Sequence, residues 1–243
     1  MAELKFDQDG QRLYFNGVDH CALFVKSAAG SYGTGVAWNG ISNATVTPDG
    51  GDANDIYADN IKYLSIPGNV NINASITAYT YPDEFNACMG LGKKSDAEGL
   101  LFGQQDRSKF GLVFRSKIGN DNSASYGYVL NILYNCLAQP TELSSDTVNE
   151  SPEAAELSFD ITTVPLAEDD MPKGLKPTSW VRIECKPGGL LQDTEGHVGE
   201  PTTKLQNLLD ALYGTDPDPE SQGSTGTPAT FKTPAEIYAI LKD

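Results

Sequence analysis

The sequence predicts a mainly β domain that carries a few short helices. Three observations lead there. Apolar residues recur at every second position in several separate segments, one long segment is apolar on both faces, and 24 glycines and 14 prolines punctuate the 243 residues. Period-two alternation marks half-buried strands, and frequent Gly and Pro favour turns over long helices. This length suffices for one large domain with a sizeable core, and 39% hydrophobic and 9% aromatic residues exclude wholesale disorder.

Along the chain, residues 20–25 form the first strand candidate. The stretch 27–56 that follows is rich in glycine and reads as a long irregular connection, yet its Tyr32, Val36, Trp38 and Ile41 are too apolar for a plain tether. A connection of that length inside a compact domain points to function or disorder. Residues 61–66 are a further strand candidate. In 70–78, Val70, Ile72, Ala74, Ile76 and Ala78 share one face, and Asn71, Asn73, Ser75 and Thr77 share the other. That is a half-buried strand whose outer face is polar but uncharged.

Pro82-Asp83-Glu84-Phe85 opens a short helix to Gly90, since Pro suits a first turn and the carboxylates meet its positive end. Phe85, Cys88 and Met89 should point inward. Phe110, Leu112 and Phe114 then lie opposite Val113, Arg115 and Lys117, and residues 126–138 are apolar on both faces, as in a central strand covered on two sides. Leu157, Phe159 and Ile161 alternate with Ser158, Asp160 and Thr162, and Val181, Ile183 and Cys185 with Arg182 and Glu184. Leu205, Leu208, Leu209 and Leu212 fall at i, i+3, i+4 and i+7 ahead of Gly214, a helix expected to lay its stripe on the sheet. Residues 216–230 read as a flexible tether. Thr233-Pro234-Ala235-Glu236 is a capping box that opens a C-terminal helix, 233–243. No internal repeat divides the chain, so 1–243 is taken as one domain.

The charge balance narrows function. Seventeen basic against 33 acidic side chains leave a formal −16, which argues against gripping nucleic acid or docking on an anionic membrane. No apolar run is long enough to span a bilayer, and the first residues lack the pattern of a secretory signal. Cys21, Cys88, Cys136 and Cys185 are scattered in apolar stretches and read as reduced core thiols of a protein folded in a cytoplasm.

Chemistry is scarce. Gly30 to Gly35 has the wrong spacing for a dinucleotide fingerprint, and Gly92-Lys93-Lys94-Ser95 lacks the residues of a phosphate loop, so both read as turns. The two histidines, His20 and His197, have no nucleophile or zinc motif around them, and His20 is expected to be a hydrogen-bonded strand residue in the core. Asp49, Asp52, Asp55 and Asp59 do not match the twelve-residue calcium loop and read as a solvated acidic turn. No metal, no cofactor and no catalytic residue is assigned. Asn43, Asn73 and Asn149 open sequons that read as chance.

Several segments carry a resemblance in collinear order. Ile56-Tyr-Ala-Asp-Asn60-Ile-Lys-Tyr63 is followed by a strand and then by Tyr81-Pro-Asp-Glu-Phe85-Asn-Ala-Cys88-Met-Gly90. Phe110-Gly-Leu, Arg115-Ser-Lys-Ile-Gly-Asn120, Gly127-Tyr-Val-Leu with Tyr134-Asn135, Glu150-Ser-Pro-Glu153-Ala, Tyr213-Gly214-Thr215 and the Pro234 helix come after. In this order the chain resembles the major tail (tail tube) proteins of long-tailed, non-contractile bacteriophages of Gram-positive hosts. The resemblance implies a β-sandwich or barrel with a flanking α-helix, and six subunits that join their sheets into stacked rings forming the channel for DNA ejection. It also implies no enzyme activity and no cofactor. The partners it implies are further copies and the tail tip or baseplate, tape measure and terminator proteins, with DNA passing unbound. The setting it implies is a virion tail assembled in the host cytoplasm.

On that reading the 27–56 loop reaches neighbouring subunits through Tyr32, Trp38 and Ile41, and Trp38→Asp should abolish stacking while the monomer stays folded. Asn71, Asn73, Ser75 and Thr77 face a wet lumen or a packed interface. Six copies of −16 give −96, which would keep DNA from sticking to the wall. Two other classes stand beside it: a carbohydrate-binding β-sandwich, which would be monomeric with a saturable glycan site, and a hydrolase with paired carboxylates, which no motif singles out.

Overall fold

A single strand belongs to two sheet layers and organises the rest. The computed structural model describes residues 6–68, 70–94, 96–143, 147, 154–192, 199–216 and 226–242. In chain order the strands are β1 (Leu13–Val25), β2 (Val36–Trp38), β3 (Ile41–Gly50), β4 (Asn54–Ala58), β5 (Ile61–Ile66) and β6 (Val70–Ala78). A 3-10 turn at Asp83–Phe85 runs into α1 (Asn86–Met89), followed by β7 (Gly92–Lys93), β8 (Leu101–Phe102), β9 (Phe110–Asn120), β10 (Gly127–Ala138), β11 (Leu157–Thr162) and β12 (Trp180–Cys185). Helices α2 (Thr203–Tyr213) and α3 (Pro234–Lys242) close the chain. The fold is mainly β, with one large antiparallel sheet and few helices.

β10 pairs with β9 on one side and, over Tyr128 to Leu133, with β12 on the other. Its register then shifts between Leu133 and Cys136, where Asn135 takes φ 47°, and Leu137 and Ala138 pair with β11 instead. A bulge of this kind bends a strand and re-aims its pairing. The hydrogen-bonded order is therefore β2-β1-β9-β10-β11-β6-β3, with β12 branching from β10. β3 returns to lie against β1, so the sheet curls around a first core. The two-sided apolar run at 126–138 is this shared strand, buried on both faces.

The first core is aromatic. Trp38 and Phe85 lie 4.5 Å apart, with Phe159 at 5.1 Å and Phe110 at 5.5 Å from Phe85. The second core fills the opposite face of β1, β9, β10 and β12. There Phe24, Val113, Leu130 and Ile132 meet Leu205, Leu208 and Leu212 of α2 and Ile237 of α3. The predicted leucine stripe is core, as its spacing required. The Thr233 capping box is formed in both directions: Glu236 Oε2 accepts from Thr233 N at 2.8 Å, and Thr233 Oγ1 accepts from Glu236 N at 3.3 Å.

The four thiols are free and buried, Cys21, Cys88 and Cys136 in the first core and Cys185 in the second. Burial pushes the Cys88 and Cys185 thiols up to about 12 and those of Cys21 and Cys136 further up, so all are held protonated.

The structure corrects two expectations. The stretch 27–56 is not an irregular connection: it holds β2, all of β3 and the start of β4. Its alternation is weak because past Ile41 β3 half-buries only Ala44 and Val46, between polar residues. His20 is not a core residue but sits exposed at a bulge of β1 with φ 48°. Residues 217–225 of the expected tether, His197, the 150–153 part of the resemblance, Asn149, Ser95 and Asp243 lie outside the described residues.

One side chain fastens the C-terminal segment. The Phe231 ring lies 4.4 Å from Tyr32, 4.9 Å from Phe24 and 5.1 Å from Tyr134. It fits because Gly111 lies beneath it: a Cβ there would run into the Phe231 ring. Phe231→Ala should cost about 3 kcal/mol, read as a lower urea midpoint at unchanged slope.

Candidate functional site

Two features stand out on the surface, a polar sheet face and an arm that prolongs it. On β6, Ile72, Ala74, Ile76 and Ala78 turn inward, which sends Asn71, Asn73, Ser75 and Thr77 outward together. Their neighbours on β3 are Asp49, Thr47, Thr45 and Asn43, and on β11 Thr162, Asp160 and Ser158. The single polar strand face predicted from sequence is thus one row of a three-strand face built from amides, hydroxyls and two carboxylates, with no lysine or arginine in it. Asn73 Nδ2 donates to Asp49 Oδ2 at 3.3 Å. Such a face holds water and offers nothing cationic to a phosphate.

Beyond Gly50 and Val70 the β3–β6 ribbon continues. Gly68 N donates to Asp52 O at 3.1 Å, and β4 and β5 then pair with each other and, among the described residues, with no other strand. Asp59 and Asn60 both take positive φ, 51° and 65°, the two-residue turn whose twist suits a hairpin. Tyr57 and Tyr63 are each 68% exposed and Ile61 65%, and Ile56, Leu64 and Ile66 are exposed as well. Asp55 braces the arm, accepting from Ser65 Oγ at 2.5 Å and pairing with Lys62 Nζ at 2.7 Å. The Lys62 and Ser65 contacts hold its carboxyl below the usual range. A two-stranded hairpin is marginal alone in water, and contiguous exposed apolar side chains mark a contact surface. Sequence reasoning missed these residues as contacts. The signal was present in Asp59-Asn60 between two apolar pairs, Ile56-Tyr57 and Ile61 with Tyr63.

The residues expected to make inter-subunit contacts lie away from the arm. Trp38 is 2% exposed in the first core, its Nε1 donating to Thr80 O at 2.9 Å, so it has no surface left to give a neighbour. Tyr32 is half-buried against Phe231, and its hydroxyl accepts from Asn135 N at 3.1 Å. Burial pushes it up to about 12 against that hydrogen bond. Ile41 packs on the first core at the start of β3. Asp49, Asp52, Asp55 and Asp59 are spread along the ribbon and arm, and among the described residues no group of metal-ligating side chains comes together.

No family model matches this sequence, and no curated protein matches it. Among solved structures, it is similar to a chain of the anti-feeding prophage baseplate, at 8% identity and TM-score 0.36 over 74% of this chain and 97% of that one. It is similar to a chain of the sheath–tube complex of PVC, an extracellular contractile injection system, at 10% identity and TM-score 0.31 over 74% and 94%. The SPP1 tail tube gives 14% identity and TM-score 0.32 over 89% and 97%. The TM-scores are too low for any of these likenesses to carry an argument about this chain.

The densest charge network lies on β1 and β9. Asp19 takes a two-pronged bond from Arg115 at 2.6 and 2.9 Å, a third contact from Lys117 at 3.1 Å, and His20 Nδ1 at 3.2 Å. Arg115 also lies over the Tyr128 ring at 4.8 Å. Burial alone would raise the Asp19 carboxyl, but the hydrogen bonds from Arg115 and Lys117 outweigh it and hold the group well below the usual carboxylate range. Its stabilisation is therefore complete above the unfolded value near 4 and fades as pH falls below it. Asp19→Asn should be less stable than the parent at pH 7, with the gap closing as pH falls below about 4 in paired urea titrations. Trp38→Asp should lose more than about 4 kcal/mol and unfold the chain, whereas Tyr63→Asp should stay within about 0.5 kcal/mol by the same assay.

Proposed function

We propose that this chain is the structural subunit of a phage tail tube of the non-contractile type, assembling into stacked six-membered rings whose channel carries DNA during ejection. The observation that carries the reading is the three-strand, cation-free polar face, with the apolar arm continuing from two of its strands. The collinear resemblance of the sequence to tail tube proteins supplies the architecture.

In this reading Asn71, Asn73, Ser75 and Thr77, with Asp49 and Asp160, line the lumen. The acidic, hydrated wall lets a polyanion slide past, because it holds no lysine or arginine to neutralise phosphates and release the polyanion's counterions. The β4–β5 arm takes over the contact role first expected of the 27–56 stretch, reaching another subunit with Tyr57, Ile61 and Tyr63. The protein acts by assembly and wall chemistry, not by catalysis. Partners at the tube ends are the tip or baseplate, tape measure and terminator proteins, and the setting is the virion tail, assembled in the host cytoplasm.

Because each subunit carries a formal −16, added salt should promote assembly by screening repulsion beyond about 8 Å at physiological strength. Negative-stain electron microscopy of the concentrated protein should show hollow tubes or rings of uniform bore, more at higher salt. Ile61→Asp and Tyr63→Asp should abolish them while the far-ultraviolet dichroism stays unchanged. Monomers at every concentration and salt, together with saturable glycan binding, would overturn the reading in favour of a carbohydrate-binding module.

A further inference from the structure

We infer that Asn39 is a site of spontaneous covalent change, its side chain closing on the Gly40 nitrogen to a succinimide that water opens to aspartate and isoaspartate. The other Asn-Gly pair of the sequence, Asn16-Gly17, is kept from this reaction by the fold. Nothing in this chemistry depends on the tube reading.

The reaction asks three things of a residue pair: a side-chain amide free of hydrogen bonds, a following N–H that can reach it, and room for the two to fold together. Glycine is the best following residue, because it has no Cβ to shield its nitrogen. Asn39 and Gly40 form the whole connection between β2 and β3, and both are exposed. Among the described residues neither the Asn39 side chain nor the Gly40 N–H makes a hydrogen bond. The turn also demands its glycine: Gly40 takes φ 77°, and a Cβ there would meet Thr80 Cγ2 at 3.3 Å. The fold thus fixes the reactive pair in place.

Asn16-Gly17 has the same sequence and opposite surroundings. It lies inside β1, bracketed by the pairs Phe15–Ile118 and Val18–Ser116 with β9. Asn16 Nδ2 donates to Ala124 O at 3.2 Å, and its Oδ1 is shut off from solvent. For Gly17 N to reach Asn16 Cγ, the β1–β9 ladder must open first, so the rate carries the cost of that opening.

At Asn39 the Gly40 nitrogen attacks Cγ: the N–Cγ bond forms, the Cγ–Nδ2 bond breaks, and Nδ2 leaves as ammonia with the Gly40 proton. Water then adds to either carbonyl of the ring. Opening at Cγ restores a normal backbone with aspartate at 39, and opening at the main-chain carbon routes the backbone through the side chain as isoaspartate. Water is the sole co-reactant. Both products add negative charge to the subunit. Isoaspartate also lengthens a connection that is pinned at each end, by Trp38 in the first core and by Tyr79 N donating to Gly40 O at 2.9 Å.

The test is peptide mass spectrometry of the full-length chain aged in mildly alkaline buffer, folded or in concentrated urea. Exchange of NH for O marks each converted site, and isoaspartate is scored by methyl transfer from an isoaspartyl methyltransferase. In urea both pairs should convert at like rates. In the folded chain Asn39 should stay within about tenfold of its rate in urea, while Asn16 should fall about a hundredfold or more below its own, as for a group that reacts only on opening. Asn39→Gln should remove the folded-state conversion and leave the far-ultraviolet dichroism unchanged. Folded chain in which Asn16 converts as fast as Asn39, or in which both are equally protected, overturns the inference. Aged parent rich in isoaspartate should unfold at a lower urea midpoint than fresh protein, at unchanged slope. An unchanged midpoint overturns the pinning of the connection and leaves the chemistry standing.

Discussion

The structure depends on one requirement, that β10 keep both of its faces out of water. A strand flanked by a single layer would need one apolar face only. Here Leu133 and Cys136 face the aromatic core around Phe85, while Leu130, Ile132 and Tyr134 face the leucines of α2. The bend at Asn135 lets the same strand serve two sheets, and Asn is among the few residue types that take positive φ at modest cost. The curl of the sheet, the helical layer and the position of β12 follow from this one strand.

From that arrangement the surface features take their places. β11, β6 and β3 form the layer reached only through the last two residues of β10. Their inner sides complete the first core, so their outer sides are released for polar residues. The ribbon of β3 and β6 outruns the core, and among the described residues its tip pairs with no further strand, which leaves its apolar side chains exposed.

Much of the interior was legible in the sequence. The two-sided run of β10, the Leu205/Leu208/Leu212 stripe and the Thr233 capping box each carry a local physical signature, and each forms as read. What was not legible depends on partners distant in the chain. Trp38 lies in a glycine-rich stretch with no visible periodicity, and only the meeting of β2 with the 3-10 turn at Asp83–Phe85 and with β11 makes it core. The N-terminal half of β1 looks like surface because part of it is surface. The arm misled in the opposite sense, since residues 61–66 read as a strand, and among the described residues nothing buries its apolar side chains. The polar row of β6 was legible, but its extension across β3 and β11 required the register.

The sealing of the four thiols has a consequence for a molecule that would be made inside a reducing cell and work outside it. Cys21, Cys88, Cys136 and Cys185 have no exposed sulfur to form mixed disulfides or to be oxidised along the path to sulfonate. These four thiols therefore keep one covalent form in either medium. An object built from the subunit would owe its durability to many weak contacts in parallel, and oxidation of its thiols in air would follow the loosening of those cores.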